Sequence, residues 1–328
     1  MLITKTPFRV SFAGGGSDMA PFYERYGGCV LSTSINKYMY ISIHPYFDET
    51  KTLLKYSENE LVASSSEIRH TIFRQVLTDM RIHGVEISST ADVPGGTGLG
   101  SSSTFTVGLL HTLFCYQGKY VSKGNLAELA CQVEIEKLGN PIGKQDQYAA
   151  AFGGLNFIRF NRDGSVAVEP VLMPASTYKQ LERNLLMFYT GQTRPANSIL
   201  AEQKKNLQND EKTRNLQRMC GLAEQMRESL LRGELTAFGE ILHEGWRLKK
   251  ELAGGISNPA IDELYDLALK HGASGGKLLG AGGGGFLLFY CPEEHQEALK
   301  KALPLRPFDF RFERDGTSIV YIGDKYWR

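Results

Sequence analysis

Residues 92–108 read DVPGGTGLGSSSTFTVG, and they decide how the rest of the chain is interpreted. Four glycines and a proline precede three serines, and an apolar segment follows. Glycine lets backbone N–H groups approach a phosphate closely, because no Cβ blocks the approach. A helix beginning at the serines would add its positive dipole end at the same point. No G-K-[ST] follows the glycines, so this is not a Walker A loop. Two interpretations stay open: a phosphate-binding loop, and a capped turn that begins a helix.

The composition restricts the class of protein. The chain has 328 residues, and single cores stop growing at about 250–300 residues, so two domains are expected. Lys and Arg number 37 against 36 Asp and Glu, a net charge of +1 that favours neither nucleic acid nor an anionic membrane as partner. Nothing in the sequence indicates an oligomeric state.

Cysteine usage and hydropathy predict a cytoplasmic location. The five cysteines are scattered and form no C-x-x-C, which is typical of buried free thiols in a reducing compartment. The first residues lack the apolar centre of a signal peptide. No run approaches the ~18 apolar residues that a membrane-spanning helix needs, so no membrane span is expected.

Periodicity predicts an α+β fold. Alternating apolar residues indicate strands at 2–13, 38–47, 85–90, 154–160 and 185–190, and helical spacing indicates helices at 66–82, after the serines, and from Asn125. From about residue 196 the pattern becomes mainly helical, with a helix beginning after Asn258 and strands at 277–279, 286–291, 307–312 and 317–322. We expect an N-terminal domain over 1–185 and a C-terminal domain over 186–328.

A second segment, EIEKLGNPIGKQDQ (134–147), brings two carboxylates together across a Gly/Pro turn. Glu134 falls late in a helix and Asp146 begins the next element. Two such carboxylates can divide the work, one binding a cation and the other taking a proton. The alternative for each is a solvated surface charge.

Two further segments are ambiguous alone. TPFRVSFAGGGSD (6–18) is a strand that carries Arg9 and ends in three glycines before Asp18. Arg9 is either a surface residue or a cation that acts on a nearby carboxylate or developing charge. KLLGAGGGGFLLFY (277–290) places a glycine loop between two strands, and its simplest interpretation is a close-packed hairpin.

Together these segments resemble the GHMP kinases, the superfamily of galactokinase, homoserine kinase, mevalonate kinase and phosphomevalonate kinase. The family has three motifs in a fixed order. They match TPFRVSFAGGG, the P-x-x-x-G-L-G-S-S pattern at 94–102, and the G-A-G-x-G-G loop at 280–285. The galactokinase-like pattern E-x4-G-x-P-x-G-x-x-D-Q falls on Glu134 to Gln147. Independent motifs in the right order favour the phosphate-binding interpretation of the loop.

The resemblance implies an N-terminal α+β ATP-binding domain and a C-terminal ferredoxin-like α+β domain, with the active site between them. It implies ATP and Mg²⁺ as cofactors. Asp146 would be the general base, Arg9 the cation beside it, and Ser102 and Glu134 the metal ligands. The loop that binds the ATP phosphates would comprise Pro94, Gly95, Gly96, Thr97, Gly98, Leu99, Gly100, Ser101, Ser102 and Ser103.

The chain departs from the family pattern at three places. Gly15 and Gly16 stand where galactokinase-like members have Glu-His, which argues against plain galactokinase activity. Ser103 replaces the usual alanine, and Leu279 stands where many members have Ser or Thr. Neither of the last two changes removes a group assigned to the chemistry.

The acceptor is a small-molecule sugar by resemblance. The F-A-G-G-G-S-D form of the first motif is similar to the branch that phosphorylates anomeric hydroxyls, and TGQTRPANSIL (190–200) is similar to a segment of the kinases in it that act on D-glycero-D-manno-heptose 7-phosphate. That activity gives the 1,7-bisphosphate, for nucleotide-activated heptose synthesis. The residues expected at the acceptor are Gly15, Gly16, Ser17, Asp18, Gly282 and Gly283, with Lys144 and Arg194 as candidate anchors for its phosphate. Those two cations are otherwise solvated surface charges.

Two alternatives remain open. One is a kinase for L-fucose or another unphosphorylated sugar. The other is a non-catalytic member that senses ATP and sugar, for which loss of Asp146, Glu134 or the loop serines would be the mark. All of these residues are present.

Overall fold

Two long antiparallel strands, β1 (Leu2–Ala13) and β2 (Gly28–Pro45), organise the first sheet. Their register runs from Leu2 opposite Ile43 to Ala13 opposite Leu31. The computed structural model describes residues 1–192 and 196–323. The first half of β2 is buried on both faces and so lacks alternation, which explains why the sequence predicted only its second half.

In the described part of the chain, nine strands form the first sheet in the order β13-β1-β2-β5-β3-β4, with β12 and the pair β6–β7 also attached to β2. Besides β1 and β2 these strands are β3 (Thr52–Lys55), β4 (Asn59–Val62), β5 (Val85–Ala91), β6 (Leu155–Phe160), β7 (Val166–Pro170), β12 (Phe312–Glu313) and β13 (Ser318–Ile322). The second sheet is antiparallel in the order β11-β8-β10-β9, from β8 (Leu185–Tyr189), β9 (Gly275–Leu278), β10 (Phe286–Tyr290) and β11 (Arg306–Pro307).

The helices pack against both sheets. They are α1 (Ala20–Tyr26), α2 (Thr71–Met80), α3 (Ser101–Tyr116), α4 (Lys123–Cys131), α5 (Gln145–Phe152), α6 (Ala175–Asn184), α7 (Ala196–Asn206), α8 (Asp210–Leu231), α9 (Phe238–Lys250), α10 (Pro259–Lys270) and α11 (Gln296–Ala302). Short 3₁₀ turns span Ser65–Glu67 and Glu293–His295, and a π-helical turn spans Gln132–Lys137. The α+β class predicted from the sequence is confirmed.

Helix α8 joins the two hydrophobic cores. Its apolar residues recur at helical spacing and form one buried stripe. Met219 near the middle packs in a core that contains second-sheet residues such as Phe188 and Leu287, whereas Met226 and Leu230 pack in the larger core, to which both sheets contribute. One helix therefore fixes the position of one layer against the other, and the cleft described below lies between them.

Two details of the predicted elements are corrected. Helix α4 begins at Lys123 rather than Asn125, because Ser122 is its N-cap and accepts a hydrogen bond from the Asn125 N–H at 3.2 Å. The sequence indicated a mainly helical region from about residue 196 but no individual helix at α7, whose stretch is mostly polar.

The proposed division at 185/186 remains a prediction. The second sheet begins with β8 at Leu185, close to that position. The last strands, however, return to the first sheet: β12 pairs with β2 and β13 pairs with β1. The first and last strands therefore share one sheet.

Candidate active site

A cleft lies where the two layers meet. Its walls come from the end of β1 and the turn after it, the glycine loop before α3, the segment before α5, helices α7 and α9, and the loop after β9. Of the predicted ATP loop, Gly96, Gly98, Gly100 and the three serines line this cleft. Pro94, Gly95, Thr97 and Leu99 belong to the loop but do not reach the cleft wall.

The glycine loop leads directly into α3. Gly96, Gly98 and Gly100 have positive φ values of 76°, 87° and 81°, which only glycine adopts without strain. Gly100 occupies the N-cap, so the helix begins with a residue that offers no side-chain oxygen to its first amides. The sequence-based alternative, that the serines cap this helix, is therefore wrong. Free amides at the start of a 16-residue helix suit an anion such as a phosphate.

The third motif interlocks with this loop. A Cβ on Gly98 would lie 2.5 Å from the Leu279 carbonyl oxygen, and a Cβ on Gly280 would lie 2.4 Å from the Gly98 Cα. A Cβ on Gly285 would lie 2.3 Å from the Thr97 carbonyl oxygen. Glycines in both loops thus permit backbone-to-backbone contact, which a side chain on either would prevent.

Arg9 and Asp146 form a two-pronged ion pair in the cleft. Arg9 Nε donates to Asp146 Oδ1 and Arg9 Nη2 donates to Asp146 Oδ2, each at 2.7 Å. Arg9 Nη1 donates to the Gly98 carbonyl oxygen at 2.6 Å, and the Arg9 backbone N–H donates to the Leu99 carbonyl oxygen at 3.2 Å. Arg9 therefore fixes the carboxylate and the glycine loop relative to each other.

Ser102 and Glu134 also meet. Ser102 Oγ donates to Glu134 Oε1 at 2.5 Å, and Gln147 Nε2 donates to Glu134 Oε2 at 2.8 Å. Glu134 is fully buried on the π-helical turn, directly behind Ser102. Burial raises the pKa of its carboxyl, and the charge of Asp146 raises it further.

These two oxygen donors suit Mg²⁺, which takes one or two protein oxygens and completes its shell with phosphates and water. A buried carboxylate whose pKa is raised by its surroundings is stabilised by a nearby cation. Within residues 1–192 and 196–323 no group of three or more His, Cys, Asp or Glu side chains could hold a metal alone. At the glycine loop, Ser102 and Glu134 are the two residues whose oxygens could contribute to a metal site.

Asp18 is a buried acidic residue of the cleft wall. Its Oδ1 accepts from the Gly16 N–H at 3.0 Å and from Gln145 Nε2 at 3.1 Å, and its Oδ2 accepts from the Gln145 N–H at 3.0 Å. Burial raises its pKa. A Cβ on Gly143 would lie 2.0 Å from Asp18 Oδ2, so the Gly/Pro turn is shaped around this carboxylate. Asp18, Gly15 and Gly16 line the cleft, and their contact with the acceptor stays a prediction.

Of the other predicted acceptor residues, only some lie at the cleft wall. Ser17 is buried, and its hydroxyl donates to the carbonyls of Gly14 and Cys29. Gly282 lines the cleft, but Gly283 donates its N–H to the Ile256 carbonyl outside it. Arg194 lies outside the described residues, so its role stays a prediction.

Lys144 is not brought into the cleft. Its Nζ lies 3.2 Å from Glu128 Oε1 and donates to the Gly164 carbonyl oxygen at 3.2 Å. Residues two apart at a helix start point in different directions, so Lys144 turns away from the face that carries Asp146. Its charge is already compensated, which weakens its candidacy as a phosphate anchor.

Sequence reasoning missed two lysines in the cleft wall, Lys249 on α9 and Lys277 on β9. Lys249 falls seven residues after Leu242 on the apolar stripe of α9, and Lys277 stands in a strand whose four residues are all buried. A lysine at an apolar position is an available signal. It also missed Ser11 of β1 and Asn197, Leu200 and Gln203 of α7, which face the same cleft.

Comparison with known proteins agrees with this geometry. Residues 64–154 match the family model "GHMP kinases N terminal domain", and residues 226–308 match "GHMP kinases C terminal". The chain is 32% identical to the D-glycero-alpha-D-manno-heptose 7-phosphate kinase of Campylobacter jejuni, over 99% of this chain and 98% of that protein. It is 30% identical to the bifunctional fucokinase/GDP-fucose pyrophosphorylase of Arabidopsis thaliana, over 90% of this chain but only 30% of that protein.

A solved structure resembles the whole chain. The crystal structure of a D-glycero-D-manno-heptose 1-phosphate kinase from Bacteroides thetaiotaomicron superposes with a TM-score of 0.81 at 27% identity, covering 99% of this chain and 100% of that one. In the described residues no helix is long and apolar enough to cross a bilayer. The ordered motifs, the two family models and full-length similarity to a member lead to one conclusion: the chain belongs to the GHMP kinases.

Proposed function

We propose that the protein transfers the terminal phosphoryl group of ATP to the anomeric hydroxyl of D-glycero-D-manno-heptose 7-phosphate and forms the 1,7-bisphosphate. The observation that carries the proposal is the Arg9–Asp146 pair, which places a fixed carboxylate beside the loop that leads into α3. The product would supply nucleotide-activated heptose synthesis. The similarity to heptose phosphate kinases over the full chain supports the choice of acceptor.

The nucleotide side of the cleft is assigned to the glycine loop. The amides at the start of α3 and the hydroxyls of Ser101, Ser102 and Ser103 would bind the ATP phosphates. Ser102 and Glu134 would hold Mg²⁺, which supplies neutralisation of the phosphate charge. Phosphoryl transfer depends mainly on positioning and charge stabilisation, and this wall of the cleft provides both.

On the side of the cleft where the sugar would bind, Asp146 is the group that takes the proton. The anomeric oxygen attacks the terminal phosphorus, a new O–P bond forms, and the bond from that phosphorus to the bridging oxygen breaks so that ADP leaves. Asp146 takes the hydroxyl proton as the bond forms. Arg9 keeps both oxygens of Asp146 in place, and Asp18, which also lines the cleft, would orient sugar hydroxyls.

We place the protein in the cytoplasm, where ATP and phosphorylated sugars are available. The five cysteines are all free, and three of them are buried. Free thiols persist in a reducing compartment.

The test is an acceptor panel assayed by ADP release: the heptose 7-phosphate, the same heptose without phosphate, L-fucose, mannose and galactose. The proposal expects kcat/KM to be highest for the heptose 7-phosphate, by about tenfold or more over each neutral sugar. The Asp146→Asn variant, assayed in parallel, shows whether the activity comes from this site. A preference for L-fucose would instead favour the fucokinase alternative, and a preference for any neutral hexose would contradict the heptose phosphate assignment.

A further inference from the structure

Two buried lysines in the cleft wall have no role in the chemistry described above. Lys249 is 8% exposed and Lys277 is 6% exposed, and both line the cleft. Lys277 Nζ donates to the Phe12 carbonyl oxygen at 3.0 Å. Lys249 Nζ donates to the carbonyl oxygens of Leu278, at 3.3 Å, and Gly280. Over residues 1–192 and 196–323, neither ammonium forms an ion pair with a carboxylate.

Such burial is unfavourable without an anion. Taking an ammonium out of water costs several kcal/mol even after relaxation, unless an opposite charge compensates it. Burial lowers the pKa of Lys249 to about 7, and the charge of Arg9 adds to the shift. Burial also lowers the pKa of Lys277 well below its ordinary value, with further contributions from Lys249 and Arg9. Arg9 is already paired with Asp146, so the two lysines need an external anion to stay protonated in the cleft wall.

Both lysines keep donors available. An ammonium has three N–H donors; Lys277 uses one on a carbonyl and Lys249 uses two. The remaining donors can reach a group inside the cleft that these side chains line. Lysine binds phosphate as a point charge with freely directed donors, so a phosphate suits this pair.

The position of Lys277 favours the acceptor over the nucleotide. Its ammonium lies on Phe12 of β1, next to Ser11 and close in the chain to the turn that carries Gly15, Gly16 and Asp18. Ser11 Oγ is buried at the cleft wall and, in the described part of the chain, has no hydrogen-bond partner. The nucleotide phosphates already have the loop amides and the start of α3.

We propose that Lys249 and Lys277 form a phosphate subsite that recognises the phosphate already carried by the acceptor sugar and so determines its selection. This inference rests on the proposed function. It replaces Lys144, which is paired with Glu128, as the anchor for that phosphate. It also gives the unpartnered Ser11 hydroxyl a ligand oxygen to bind.

The test uses Lys249→Met and Lys277→Met, which keep most of the side-chain length and remove the charge. KM and kcat are measured for the heptose 7-phosphate, for the same heptose without phosphate, and for ATP. Each variant is expected to raise KM for the heptose 7-phosphate by about tenfold or more, equivalent to about 1.4 kcal/mol. KM for ATP and kcat/KM for the unphosphorylated heptose are expected to stay within about twofold, a change under ~0.5 kcal/mol.

Lys250→Met is the matched control. Lys250 is the next residue on α9, but it does not line the cleft. Its Nζ lies 3.0 Å from Asp262 Oδ1, with which it forms an ion pair. It should change none of these constants. Unchanged KM for the heptose 7-phosphate in both cleft variants overturns the proposal, and so does a rise confined to KM for ATP, which would assign the lysines to the nucleotide.

A measurement on the wild-type protein does not depend on how the variants fold. Inorganic phosphate should inhibit competitively against the sugar phosphate and not against ATP; competition with ATP alone contradicts the subsite. If the wild type does not phosphorylate the heptose 7-phosphate at all, the proposed function fails. The lysine pair is then judged by calorimetric titration with inorganic phosphate: binding lost in Lys277→Met supports the subsite, and unaltered binding overturns it.

Discussion

The Arg9 guanidinium holds both carboxylate oxygens of Asp146 at 2.7 Å while its third nitrogen holds the Gly98 carbonyl at 2.6 Å. One side chain therefore connects the proposed base to the proposed nucleotide loop. The pair fixes the distance between the proposed proton acceptor and the proposed phosphate-binding loop. Precise mutual placement of reacting groups supplies much of the acceleration in phosphoryl transfer.

Replacing Asp146 should abolish turnover without abolishing nucleotide binding. Asp146→Asn keeps the shape of the side chain but cannot take the hydroxyl proton. We expect kcat to fall by much more than about tenfold, a barrier increase above ~1.4 kcal/mol, with Kd for ATP nearly unchanged by calorimetry. Asp79→Asn is the control, since Asp79 pairs with Lys137 on the surface. Retention of more than about a tenth of wild-type kcat contradicts the base assignment.

A methyl group on Gly98 should disrupt the contact between the two glycine loops. The new Cβ would meet the Leu279 carbonyl oxygen at 2.5 Å, at a residue with φ of +87°. We expect Gly98→Ala to lower the free energy of unfolding by about 2 kcal/mol, measured by denaturant titration. Gly95→Ala is the matched control in the same loop, because its Cβ would meet Ser101 Oγ at 3.9 Å, an ordinary contact. Equal stabilities of the two variants would show that the loops do not pack as described.

Glu134→Gln should weaken the dependence on Mg²⁺ that we assign to this site. The amide keeps an oxygen for the Ser102 hydroxyl but loses the charge that a cation would use. We expect the Mg²⁺ concentration for half-maximal rate to rise by about tenfold or more. The fold should survive, because burial already raises the pKa of this carboxyl and the amide removes a charge that the interior disfavours. An unaltered Mg²⁺ titration places the metal elsewhere.

Lys249 should make stability depend on pH in a defined direction. Its pKa is lowered to about 7 from an ordinary value of 10.5. Between these values the unfolded chain binds more protons than the folded chain, so the stability contribution of Lys249 rises with pH. From about pH 7 to pH 9, the unfolding free energy of the wild type relative to Lys249→Met should rise by up to about 1.4 kcal/mol per pH unit.

Denaturant titrations at several pH values measure this difference, and Lys250→Met gives the baseline for a partly exposed lysine on the same helix. Parallel curves for the wild type and Lys249→Met would mean that Lys249 is not buried as an uncompensated cation.

The residues that the sequence predicted well are those whose neighbours in the chain determine their geometry. Gly98 and Gly100 need positive φ, and α3 follows them directly, so the motif alone indicates a loop and a helix start. Arg9 and Asp146 are 137 residues apart in the chain, and no local sequence pattern predicts that their side chains meet. That pairing was predicted from the family resemblance.

Long-range packing explains what was missed. Lys277 reaches the cleft because its side chain extends from β9 to the Phe12 carbonyl oxygen at the end of β1, a contact between the layers that no local pattern encodes. The sequence makes Lys144 a candidate phosphate anchor, but the direction of a side chain at a helix start depends on the helix phase, which the sequence pattern does not show. Ser122 rather than Asn125 caps α4, since two candidate caps three residues apart differ only in backbone conformation.

The pairing of β13 with β1 affects how the chain folds during synthesis. Residues 2–5 of β1 have Ser318–Ile322 as their partner along one edge, so that edge stays open until the ribosome has released residue 322. An open strand edge is a template for pairing with other chains. The nascent chain therefore carries this unpaired edge until β13 has emerged, and the first sheet closes only then.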